Sequence, residues 1–89
     1  MERPNIKPHD WITIGTRHAV VSNIIEESDD KIKVEIVYLD DKNKAINENV
    51  IWKNNKWEFE YNTPTGGYAD KYTRLNEFVG QLRRGRYPK

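Results

Sequence analysis

The sequence predicts a mainly β domain with one C-terminal α-helix, a small barrel of four to five antiparallel strands closed by that helix. Three observations predict it. Nine Ile and six Val outnumber three Leu and three Ala, and β-branched side chains suit a pleated surface while crowding a helix. Between residues 11 and 60, short apolar runs alternate with clusters of turn-forming residues, the spacing expected of strands. Near the end, Leu75, Phe78, Val79 and Leu82 recur at i, i+3, i+4 and i+7, an apolar stripe at helical period.

Taken in order, residues 1–9 hold two prolines and little that is apolar, and read as a flexible N-terminal arm. Trp11-Ile12-Thr13-Ile14 is the first strand, with Gly15 breaking or bulging the run. Ala19 to Ile25 is a second apolar run of strand length, leaving through the polar turn Glu26-Glu27-Ser28-Asp29-Asp30. Lys31 to Leu39 is the clearest long strand. Ile32, Val34, Ile36 and Tyr38 fall on one face, with Lys31, Lys33 and Glu35 on the other. Val37 and Leu39 make that second face apolar near its end, so the end is expected to be covered on both sides. Asp40 to Lys44 is turn chemistry. Ala45-Ile46 and Val50-Ile51-Trp52 then resume the extended pattern around Asn47-Glu48-Asn49.

Trp52-Lys53-Asn54-Asn55-Lys56-Trp57 carries the most specific local signal. Two residues that tolerate positive φ lie between extended runs, as a two-residue type I′ hairpin requires. That register sets Lys53 opposite Lys56 and Trp52 opposite Trp57, with Val50 and Phe59 extending the same face. After the loop Asn62-Thr63-Pro64-Thr65-Gly66-Gly67 comes the helix. Asp70 or Thr73 is expected to cap its start and Gly85 its end, with Arg83 and Arg84 in the last turn. Gly80 weakens it by up to about 1 kcal/mol relative to alanine, so it depends on docking its stripe against the sheet.

The chain has 89 residues, one domain's worth, assigned to 10–86 with a tail at 87–89. Mean hydropathy is −0.96, so the core must be compact and lean on its ten aromatics. No cysteine is present, which excludes disulfides, thiolate catalysis and cysteine-ligated zinc. No apolar run reaches the roughly 20 residues of a membrane span, and the start lacks the apolar core of a signal peptide. A soluble, cytoplasmic protein is expected. Charge is uneven: residues 21–60 carry six lysines against ten acids, net −4, and residues 61–89 carry six basic groups against two acids, net +4.

Element order and the tight last hairpin resemble the small SH3-like barrels, Tudor domains included. Val34-Glu35-Ile36-Val37-Tyr38-Leu39-Asp40-Asp41 is similar to the Tudor stretch in which a strand ends in an aromatic and an acid. The resemblance implies aromatic recognition through Tyr38 and Asp40. Lys42-Asn43 stands where that family has a glycine, and its other cage aromatics have no assigned counterparts here.

His9, Asp10 and His18 are the only ligand-type group, at spacings that match no zinc pattern. Glu26, Glu27, Asp29 and Asp30 lack the alternation and central glycine of a calcium loop and read as a solvated turn. Gly66-Gly67 precedes a helix, but Tyr68-Ala69-Asp70 replaces the Lys-Ser/Thr of a phosphate loop. No cofactor and no metal are therefore expected, and no pair of groups has the spacing of acid, base or nucleophile. The expected function is a non-enzymatic interaction module for a protein or peptide, using a strand edge or the groove beside Tyr61 and Tyr68. The alternative is nucleic-acid binding through Arg74, Arg83, Arg84, Arg86 and Tyr87, against the favoured reading that Arg83 and Arg84 complement the helix dipole and keep the tail soluble. The whole-chain pI of about 8.0 is low for that alternative.

Overall fold

Period-two alternation of apolar side chains is satisfied here by one antiparallel sheet with two differently covered faces. The structure, a computed structural model, describes residues 5–60 and 67–85. Its strands are β1 (Trp11–Ile14), β2 (Arg17–Glu27), β3 (Ile32–Leu39), β4 (Ala45–Lys53) and β5 (Lys56–Phe59). They follow one another in the sheet in chain order. The sheet curls into a half-barrel, bringing its edge strands β1 and β5 near each other.

The inner face carries Ile12, Ile14, Ala19, Val21, Ile32, Val34, Ile36, Tyr38, Val50 and Trp57 as one buried cluster. Burial of each Ile or Val among them contributes on the order of 1.5–3 kcal/mol. The last hairpin takes the register its sequence predicts. Asn54 and Asn55 have φ of 55° and 63°, and Trp52 pairs with Trp57 while Lys53 pairs with Lys56. The indole centroids are 5.2 Å apart at an interplanar angle of 65°, an edge-to-face arrangement.

The outer face is apolar only toward the Leu39 end, where Val20, Val37 and Ala45 meet Ala69, Leu75, Val79 and Leu82. Helix α1 (Asn76–Arg84) lies there across β2 and β3. Its end matches expectation: Gly85 is left-handed at φ 68° and its N–H bonds to the Leu82 carbonyl. Its beginning does not. Two 3₁₀ turns, Ala69–Lys71 and Thr73–Leu75, lead into α1, and Leu75 is its N-cap with no side-chain cap bond. The cap position expected at Asp70 or Thr73 falls instead on Leu75, which is buried in the cluster between helix and sheet; the Asp70 side chain lies outside the described residues.

Two further differences have physical causes. Asn47-Glu48-Asn49 continues β4 rather than interrupting it. Asn47 and Asn49 point outward and donate to Glu35 and Glu60 at 3.3 and 3.5 Å. Of the arm expected at residues 1–9, His9 is tied to both sheet and helix. The His9 N–H bonds to the Val21 carbonyl at 2.8 Å, its ring stacks on Phe78 at 4.4 Å, and its carbonyl accepts from Gln81 Nε2 at 2.8 Å.

Candidate functional site

The turn between β3 and β4 is built by Asp40. Its Oδ1 accepts the backbone N–H groups of Lys42 and Lys44, each at 2.9 Å, and Asn43 adopts φ 66°. The Lys44 N–H, helped by the Lys42 N–H and the charges of Lys42 and Arg17, holds the Asp40 carboxyl below its usual range against the opposing effect of desolvation. Closing the turn this way leaves Lys42 and Lys44 exposed at its tip. Arg83 of α1 donates to the Asn43 carbonyl at 3.3 Å and so ties the turn to the helix.

Arg17 reaches the same end of the sheet from β2. Its guanidinium donates to the Leu39 carbonyl at 2.9 Å and to Asp41 Oδ1 at 3.2 Å. It also lies 5.3 Å from the centroid of the Tyr38 ring.

Opposite the turn, Tyr68 forms an antiparallel bridge to Ile46, and the Asn47 N–H donates to the Gly67 carbonyl at 3.1 Å. This covers a stretch of β4 that β5 does not reach. The Tyr68 ring remains 47% exposed, with the Lys44 and Lys71 ammonium groups 6.0 and 5.9 Å from its centroid. Tyr72 is 43% exposed. Its hydroxyl lies beside Gly67, and Arg74 sits 5.5 Å from its ring centroid. Between Tyr68, Ile46, Tyr38 and the turn lies an open depression of about 500 Å³.

The Tyr68–Tyr72 segment is anchored by Glu35, which sits on the outer face of β3 and is only 7% exposed. Glu35 accepts both terminal guanidinium nitrogens of Arg74, at 2.8 and 3.0 Å, and Ser22 Oγ at 2.8 Å. Burial pushes the Glu35 carboxyl up, but the bonds from Arg74, Ser22 and Asn47 outweigh it, and the group titrates below its ordinary 4.5. A buried carboxylate thus fixes where the exposed tyrosines stand.

The residues nominated from sequence are distributed unevenly over this geometry. Tyr38, Asp40 and Tyr68 do come together around the depression. Tyr38 is only 5% exposed, however, and packs against Phe59 at a centroid distance of 5.7 Å. Burial, Glu48 and Asp40 raise its phenol pKa against the opposing charge of Arg17. With its ring buried under Arg17 and Asp40 spent on the turn, these two residues form a floor and a frame rather than an open cage. Arg74 is committed to Glu35 and Arg83 to Asn43, while Arg84 is exposed at the end of α1. Tyr61, Arg86 and Tyr87 lie outside the described residues. The residues that sequence reasoning missed are Arg17, Lys42, Lys44, Lys71 and Tyr72. Their one visible signal was the lysine content of the Asp40–Lys44 turn.

Among the described residues, no group of three His, Cys, Asp or Glu side chains is placed to hold a metal ion, and no helix is long and apolar enough to cross a membrane. Glu48 points to the inner face opposite Ile36, is 6% exposed, and leaves Oε2 without a hydrogen-bond partner. No family model matches the chain, and no curated protein or solved structure is significantly similar to it.

Proposed function

We propose that this chain is a non-enzymatic interaction module, an SH3-like half-barrel that binds a protein or peptide segment at the depression beside Tyr68. The observation that carries this reading is the placement of the exposed rings. Among the described residues, Tyr68, Tyr72 and Ile25 are the large hydrophobic side chains left exposed; Tyr68 lines the depression, and the Tyr72 hydroxyl lies beside Gly67, which lines it too. A tyrosine offers a large contact area at low entropic cost, because only two torsions are fixed on binding. The Glu35–Arg74 bonds hold the segment that carries them, so the surface is pre-organised rather than formed on contact. The cysteine-free sequence supports a cytoplasmic setting for such a partnership.

Selection from a random displayed-peptide library tests the reading. The parent protein is expected to enrich a defined set of peptides, and Tyr68→Ala is expected to lose them while keeping the parent's thermal unfolding midpoint. Enrichment that survives in the variant, or no enrichment at all, removes this surface from consideration.

A further inference from the structure

We infer that the segment seated beside Tyr68 is a carboxylate-rich peptide carrying an apolar side chain. This inference rests on the recognition reading above and names the chemistry of its partner.

The rim of the depression is rich in charge. Arg17 and Lys42 line the depression with Asp40 and Asp41, and the Lys44 and Lys71 ammonium groups stand beside the Tyr68 ring at its edge. Both acids are engaged: Asp40 with the N–H groups of its own turn, Asp41 with Arg17. The positive field is therefore carried outward by lysine ammonium groups. The far end of the sheet, at the turn between β2 and β3, presents Glu26, Glu27, Asp29 and Asp30. An acidic segment is steered toward the Tyr68 end and away from the other.

The cations at this surface differ in how far they are already engaged. The guanidinium groups of Arg17 and Arg74 are committed to Leu39, Asp41 and Glu35. No free arginine fork is thus directed into the depression, and a planar fork is what phosphate recognition uses best. Lysine ammonium groups are point charges on flexible stems, suited to a series of carboxylates. Apolar surface is also on offer. The exposed rings of Tyr68 and Tyr72, with half-buried Ile46 in the floor, are surface that an apolar side chain of the ligand would cover.

The experiment is isothermal titration of the full chain with three probes: the capped peptide Glu-Glu-Leu-Glu-Glu, its analogue Gln-Gln-Leu-Gln-Gln, and a short oligothymidylate. The acidic peptide is expected to bind about tenfold more tightly than the glutamine analogue at low salt, with the gap closing as salt screens the rim. Lys44→Gln with Lys71→Gln should remove that preference, whereas Lys53→Gln with Lys56→Gln, in the distant hairpin, should leave it intact. Equal binding of the two peptides at the Tyr68 surface overturns the inference and leaves the recognition reading standing. Tighter binding of oligothymidylate, or binding of neither peptide, also overturns it. In the last case the library selection decides separately whether Tyr68 recognises anything.

Discussion

Replacing Arg74 with alanine should destabilise the fold far more than the loss of a surface charge. The Arg74 side chain is 57% exposed, but its partner Glu35 is 10% exposed, so the perturbation leaves a carboxylate in a site that water barely reaches. Exposed pairs contribute about 0–1 kcal/mol, and removing one partner of a fully buried pair costs about 3–5 kcal/mol. This pair lies between those limits. Ser22 and Asn47 still bond to Glu35 in the variant, which moderates the loss to about 2 kcal/mol. For a domain of this size that corresponds to a fall of about 10 °C in unfolding midpoint. Urea denaturation followed by tryptophan fluorescence, in a double-mutant cycle with Glu35→Gln, measures it directly. The pH dependence has a definite sign. Glu35 titrates below its ordinary value in the fold, so its contribution is complete above about pH 4.5 and is lost as pH falls through the lower folded value. In R74A the carboxyl titrates higher, and the acid-side loss due to Glu35 shrinks. A variant within about 0.5 kcal/mol of the parent, or a coupling energy near zero, would refute the reasoning.

Three more outcomes are expected. Leu75→Ala removes a fully buried side chain from the cluster between helix and sheet; chemical denaturation should register a loss of about 3 kcal/mol. Asn55→Gly relieves a residue held at φ 63° in a type I′ turn and should raise the unfolding midpoint, by up to about 1 kcal/mol of stability. Glu48→Gln replaces an inward carboxylate that has an unpartnered oxygen. It should be neutral or stabilising at pH 7, whereas a loss above about 1 kcal/mol in the same denaturation assay would mean that Glu48 has a partner of its own.

What was legible in the sequence was local. Asn54-Asn55 between extended runs specified its own turn, and the alternation from Ile32 to Tyr38 specified which face of β3 goes inside. The stripe from Leu75 to Leu82 specified a docked helix, and Gly85 its end. Interactions between distant residues were not legible. Glu35 shares its face with Lys31 and Lys33 and so reads as solvent-facing, yet Arg74 arrives from 39 positions away and makes its burial tolerable. Asn47-Glu48-Asn49 reads as a break in the strand because its outward partners, Glu35 and Glu60, belong to other strands or their ends. The candidate surface divides in the same way. Tyr68, beside a glycine pair, could be nominated as exposed. The convergence of Lys44 and Lys71 on its ring depends on a turn and a 3₁₀ segment that meet only in the folded chain.

The most direct measurement is chemical-shift mapping of the ¹⁵N-labelled protein as a library-selected peptide is titrated in. The account predicts that perturbations concentrate on residues 42–44, 67–68 and 71–72. Perturbations centred instead on residues 26–31 and 53–56, at the opposite end of the sheet, would contradict it.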